Sequence, residues 1–283
     1  MTEHSKVPQD VYEEMSKDTG LGSVYMSDRD MASVILPDLD YEAQLIAISG
    51  LLRNNDEADA ETDKQIKEVE EYARRTSGLR NQFAVDEWMD LLHGSTYQSA
   101  AHSMAALGMV GPFYESMFFQ AFQGIRMSFF GKDTIPPGHH RAGTNDAEHF
   151  WDCHLLRSPG GKMKRELVAG IEQLADAVGL TPHLPTGLPK TLDALFSYRN
   201  KMFNGGFEWP KGECARFAKR IDQEEWQAWF SSATHGGEPW IFYMTDQFIS
   251  HCFDQVHPLL DGFGAYCRGR DRIDIVPIEI AIG

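Results

Sequence analysis

The sequence predicts an all-α helical bundle with an irregular N-terminal arm and a short strand-like C-terminal tail. Three observations carry this prediction. Apolar residues recur at spacings of three and four through much of the 283-residue chain, as in Met163, Leu167, Val168, Ile171, Leu174 and Val178, which sets them on one helical face. From Leu91 to Ile125 the only formal charge is Glu115, in a run dense in Ala, Ser, Gly, Met and Phe that lets helices approach closely. Strand-like alternation is read only in the tail, Ile273–Ile282. The boundaries are an arm over 1–37, one bundle domain of about seven to nine helices over 38–270, and a tail over 271–283.

Taken in order, the arm alternates short apolar groups with Asp, Ser, Gly and Pro, with one short helix at Val7–Lys17. A first amphipathic helix begins at Asp38 and ends near Arg53; Asn54–Ala60 reads as a polar turn. Thr62–Thr76 is a helix laced with ion pairs, with only Ile66, Val69 and Tyr72 to bury. Two long core helices follow, Phe83–Val110 and Pro112–Phe130, broken at Gly111-Pro112. Lys132–Asp146 is a loop, Glu148–Leu156 a short helix, and Lys162–Val178 a regular amphipathic helix ended by Gly179. The helix that starts at Leu188 is capped by Thr186, carries Pro189 in its first turn and stops at Gly205-Gly206. Phe207–Pro210 is an aromatic turn folding back toward Asn204, and Glu213–Ile221 a short helix with a basic face. Thr234–Gly237 is a turn, after which Pro239 opens a last long helix with Ile241, Met244, Phe248, Cys252, Val256, Leu259 and Phe263 buried and a kink at Pro258.

Composition narrows the function classes. With 42 acidic and 26 basic residues the net charge is -16, which argues against broad nonspecific binding to nucleic acid or anionic membranes but leaves room for a small basic cleft. The Leu91–Ile125 run is too rich in His, Ser, Thr and Gln to read as a membrane hairpin. Four scattered cysteines without a C-x-x-C pair, and a polar N-terminus without a signal core, point to a reduced cytoplasmic protein. No catalytic triad, phosphate-binding Gly loop or dinucleotide fingerprint is present, and no cofactor is expected.

Metal ligands are the remaining local signal. His149 and Cys153 stand at i and i+4 beside Asp152 and His154, with His139 and His140 in the preceding loop. A closed zinc site needs four convergent ligands, and only one pair has the spacing. Asp90-x-x-His93, Asp146-x-x-His149 and Asp254-x-x-His257 place an acid before a His as di-iron bundles do, but bridging Glu residues are not evident. The expectation is therefore no tightly bound metal, with a metal-dependent bundle enzyme as the third reading.

The organising element is the helix that starts at Leu188. Leu188, Leu192, Leu195, Arg199 and Met202 share its apolar face, so Arg199 sits where a solvated charge does not belong. Asp193, Ser197, Asn200 and Asn204 form a polar band beside it. Two readings stay open: a structural Arg paired with one buried acid, or a cleft that holds an anion. Glu115, set among Phe113, Tyr114, Met117, Phe118 and Phe119, lacks a counter-charge in its own segment and is the expected partner of Arg199.

Arg199-Asn200-Lys201-Met202-Phe203-Asn204 resembles the R-x4-6-H motif of the HEPN superfamily. The resemblance implies a helical bundle that pairs into homodimers so that two motifs face one cleft, and metal-independent RNA cleavage. Arg199 and Asn200 match the pattern, while Asn204 stands where the family has its His and cannot exchange a proton near neutral pH. The expected function is a HEPN-like module binding RNA or a nucleotide phosphate with weakened catalysis. Arg199, Asn200 and Asn204 are its candidate catalytic positions, and Lys201, Trp209 and Glu115 its candidate binding positions. Trp209 offers either a floor for base stacking or a packed corner. The competing class is a non-catalytic interaction or structural protein.

Overall fold

The structure, a computed structural model, describes residues 27–37, 40–143 and 146–270. The expected helix at Val7–Lys17 and the strand-like tail lie outside the described residues. Ser27 opens the described chain with a capping box, its hydroxyl accepting the Asp30 amide while Asp30 accepts the Ser27 amide. This starts α1 (Asp28–Met31), continued by a 3₁₀ turn (Ala32–Val34). Part of the expected arm is thus helical.

Two long helices follow, α2 (Tyr41–Arg75) and α3 (Leu79–Ile125), joined by a short turn into a helical hairpin. The expected turn at Asn54–Ala60 is instead helical, because the stretch holds no Gly or Pro and is tied across the hairpin. Asp59 accepts from Gln98 Nε2 at 2.5 Å, and Thr62 Oγ1 donates to Gln98 Oε1 at 3.0 Å. The expected break at Gly111-Pro112 is also absent: Pro112 lies inside α3. A proline removes one helical hydrogen bond and crowds the carbonyl four residues back, which here belongs to Gly108. The irregularity comes later, as a π-helical turn at Arg126–Phe130.

The next segment carries α4 (Ala147–Trp151), a small antiparallel sheet of β1 (Leu155–Arg157) and β2 (Met163–Arg165), and α5 (Leu167–Val178), ended by Gly179 in the left-handed conformation. The expected helices at Glu148–Leu156 and Lys162–Val178 are therefore each shortened by a strand. Then come α6 (Leu188–Gly205) and α7 (Lys211–Gln223). Gly187, not Thr186, occupies the N-cap of α6, without a side-chain cap bond.

The largest correction falls on the predicted last helix. Its first third is a strand: β3 (Phe230–His235) and β4 (Glu238–Met244) form an antiparallel hairpin around Gly236-Gly237, both at positive φ. That two-residue turn and the β-forming Trp240-Ile241-Phe242-Tyr243 run set the conformation. Two helices follow, α8 (Asp246–Asp254) and α9 (Val256–Arg268), separated at Gln255 so that Pro258 falls in the first turn of α9, where its missing N–H costs nothing. The predicted stripe from Ile241 to Phe263 is nonetheless buried throughout. Apolar positions read as one helix face belong to three elements that line the same core.

The chain is thus mostly helical, with two small antiparallel sheets among the described residues. One continuous core joins Phe118 and Phe122 of α3 to Leu195 and Tyr198 of α6, Phe248 of α8 and Phe263 of α9. Among the described residues, no helix is long and apolar enough to cross a membrane.

Candidate functional site

Helix α6 is fixed against its neighbours by its own polar side chains as well as by its stripe. Thr191 Oγ1 donates to the Gly187 carbonyl at 3.2 Å and lies 2.9 Å from His251 Nε2 of α8. Tyr198, buried, donates its hydroxyl to the Phe242 carbonyl of β4 at 2.7 Å. With Leu188, Leu192, Leu195 and Met202 also buried, the helix has no freedom to rotate, and Arg199 is held against α3. Gly111 makes this approach possible: a Cβ there would stand 3.2 Å from Arg199 Cδ. One turn further along α3, Glu115 Oε2 accepts from Arg199 Nη1 at 3.0 Å. The pair expected from the sequence is therefore present, each side chain 29% exposed.

A third member is His154, which the sequence offers only as a possible metal ligand. His154 Nε2 lies 3.0 Å from Glu115 Oε1, and its Nδ1 lies 2.8 Å from Asp152 Oδ1. Both ring nitrogens of His154 thus face carboxylate oxygens. The His154 amide also donates to Asp152 Oδ1 at 2.9 Å, which orients the residue from both ends. The result is an unbroken polar line, Asp152–His154–Glu115–Arg199.

This line depends on a buried cation. Arg141, fully buried, donates to the carbonyls of Phe150 and Leu155, both at 2.6 Å, and of Asp152 at 2.5 Å, and to Gln173 Oε1 at 3.0 Å. Burial pulls its pKa down to about 10, which leaves it charged at neutral pH. Charged donors to backbone carbonyls are strong and, when buried, costly to remove. Arg141 thereby fixes the 150–155 loop that presents His154. Gly170 of α5 completes the fit, since a Cβ there would lie 2.2 Å from the Cys153 carbonyl.

Glu115, His154 and Arg199 line a pocket of about 410 Å³ together with Arg165, Arg220 and Asn200. Arg220 is held by both carboxylate oxygens of Asp193, at 2.9 and 2.7 Å, and Arg165 is exposed on the rim. Leu167 and Val168, the first residues of α5, also reach the pocket. That helix start has no side-chain cap, so it brings uncapped amides and the positive end of the helix dipole to the same place.

The other candidate positions separate from this group. Asn204 is exposed and lines a neighbouring pocket of about 360 Å³ with Lys201, Trp209 and Glu213, while Asn200 touches both pockets. Lys201 is paired with Glu213, and this hydrogen bond holds the Glu213 carboxyl below the usual range. Trp209 is 7% exposed, donates Nε1 to the Gly206 carbonyl at 2.8 Å and stacks on Phe242 with ring centres 5.6 Å apart. Its ring is therefore engaged inside the chain as a corner.

Metal-ligand types meet at one place among the described residues, Asp152, Cys153 and His154. Burial pushes the Cys153 thiol up to about 12, so a thiolate ligand is disfavoured there, and both ring nitrogens of His154 are already engaged. His149 pairs with Asp146 at 2.6 Å and His139 with Asp176 at 3.3 Å, and neither joins that group. No family model matches the chain, nor does any curated protein or solved structure.

Proposed function

We propose that this protein is a HEPN-like helical module whose cleft around Arg199 and Asn200 binds an anionic ligand, RNA or a nucleotide phosphate, with weakened catalysis. The observation that carries the reading is the gathering of Arg199, Arg165, Arg220 and His154 with the uncapped start of α5 on one pocket, which the carboxylates of Glu115, Glu166 and Asp193 also line, in a chain whose net charge is -16. Cationic donors and helix-start amides converging in a concave site suit phosphate oxygens. In metal-independent cleavage Arg199 would stabilise the pentacoordinate phosphate. Asn204 supplies no proton transfer, so binding outlasts chemistry.

Fluorescence anisotropy with a short single-stranded RNA tests this. Arg199→Ala should weaken binding by about tenfold or more, the cost of one charge-assisted contact. Equal affinity of the two proteins would overturn the reading. The competing reading, a non-catalytic interaction protein, is favoured by one observation: Leu79, Phe83 and Met89 of α3 are 74, 71 and 55% exposed. On that reading RNA binding is absent while the apolar positions govern association.

A further inference from the structure

Glu115 is the one acid in the Leu91–Ile125 segment, and both of its oxygens are taken by donors from other elements. Arg199 Nη1 of α6 stands 3.0 Å from Oε2, and His154 Nε2, just before β1, stands 3.0 Å from Oε1. A carboxylate offers such donors what a phosphate offers: two oxygens on one centre sharing delocalised negative charge. Charge neutralisation alone does not account for the arrangement. Arg141 and Arg126, the buried arginines, spend their donors on backbone carbonyls, and Arg126 adds Glu148. Arg199 differs: its guanidinium lines an open pocket, and Nη1–Glu115 is its one hydrogen bond among the described residues. A guanidinium carries five N–H groups, so most of its capacity is left for a ligand.

We propose that the Glu115 carboxylate occupies, in the free protein, the seat of a ligand phosphate, and that Arg199 and His154 together form that seat. The inference rests on the anion-binding reading above and deepens it by adding His154 as a binding residue and Glu115 as an internal competitor. Asp152 holds the far side of the His154 ring, which keeps Nε2 presented when Glu115 leaves. A phosphate group entering the pocket takes the two hydrogen bonds of the carboxylate, and Arg165 stands at the same pocket to receive further negative charge, while Arg220 there is paired with Asp193.

The test measures binding of inorganic pyrophosphate by calorimetry and of short single-stranded RNA by anisotropy, using full-length wild type, Glu115→Gln, and Glu115→Gln combined with His154→Ala. Removing the internal anion should tighten binding of at least one probe by about two- to fivefold, the scale of one partly exposed ion pair. The added His154→Ala should abolish the gain. A gain for pyrophosphate assigns the seat to a terminal phosphate, and a gain for RNA alone assigns it to a phosphodiester. Glu115→Gln protein that folds and binds no tighter than a wild type that does bind would overturn the internal competitor while leaving the anion-binding reading standing. Binding of neither probe by either protein would overturn both. Should Glu115→Gln fail to fold, the wild type still decides. With ¹³C-labelled glutamate, a saturating probe must shift the Glu115 carboxyl resonance, and binding that leaves it unmoved rejects the proposal.

Discussion

At the residue scale the site turns on Arg199 and on what stands where a HEPN-like motif would place its histidine. Asn204 is exposed at the end of α6, one turn beyond Asn200, and Asn200 reaches the pocket of Arg199. A histidine at 204 would stand in the pocket beside that of Arg199, the two sharing Asn200, and a proton-transfer group that reaches a scissile phosphate is typically worth about 10² to 10⁴ in rate. Purified protein is expected to show little ribonuclease activity; Asn204→His should raise it at least about tenfold, and Arg199→Ala in that background should remove the gain. Strong cleavage by the unmodified protein, undiminished by Arg199→Ala, would place activity elsewhere. Arg199 and Glu115 are legible in the sequence because each is a charge in an apolar setting, and a buried charge demands a partner. The place of His154 is not. It lies 39 positions from Glu115 in an ordinary loop sequence, and only the burial of Arg141 and the close fit at Gly170 bring the two together.

At the scale of elements, two glycines inside helices do opposite things. Gly170 of α5 touches the backbone of the segment bearing His154, where a Cβ would come within 2.2 Å of the Cys153 carbonyl. At Gly50 of α2 an added Cβ would meet nothing within 4 Å. Gly170→Ala should cost about 1–3 kcal/mol through overpacking and weaken ligand binding, because the 150–155 loop must move. Gly50→Ala should stabilise by about 0.5–1 kcal/mol and leave binding alone. Urea denaturation alongside anisotropy measures both effects, and equal behaviour of the two variants would separate the loop from the site. The apolar periodicity of α5 and α6 is readable because each presents one face to one core. The β3–β4 hairpin escapes that reading because β4 buries side chains on both faces, Ile241 on one and Met244 on the other, so that their spacing of three reads as a helix, and the positive φ of Gly236 and Gly237 is not visible in a periodicity. The continuity of α2 is hidden by a stretch of Asn and Asp, which favour caps in isolation; here Asp59 is tied to α3 instead.

At the scale of the whole molecule, the surface left uncovered is not the one the sequence suggests. The most apolar stretches of the sequence, the Leu91–Ile125 run and the Ile241–Phe263 stripe, have most of their apolar side chains buried or half-buried within the chain itself. Exposed apolar side chains instead gather on the hairpin of α2 and α3, with Met127 and Phe203 exposed elsewhere. Val85, Met89 and Leu92 follow one another at spacings of four and three, with Leu79 and Phe83 nearer the turn. Among the described residues from 57 to 92, Ile66, Ala73 and Ala84 are the buried ones. Two helices alone bury little, and a second hairpin laid against the first would cover these positions as a four-helix bundle. Light scattering at micromolar concentration is therefore expected to give twice the mass of one chain. Phe83→Ser with Met89→Ser should return it to one, at little cost to folding because both positions are exposed. Electrostatics gives this association a distinct signature. Each chain carries -16, so like-charge repulsion opposes pairing and added salt should strengthen the dimer. Binding of an anion to the Arg199 cleft should instead weaken with salt. Two transitions moving in opposite directions on one salt titration would identify them as separate surfaces. A monomer at every salt concentration would remove the paired-motif arrangement and leave a cleft that works within a single chain.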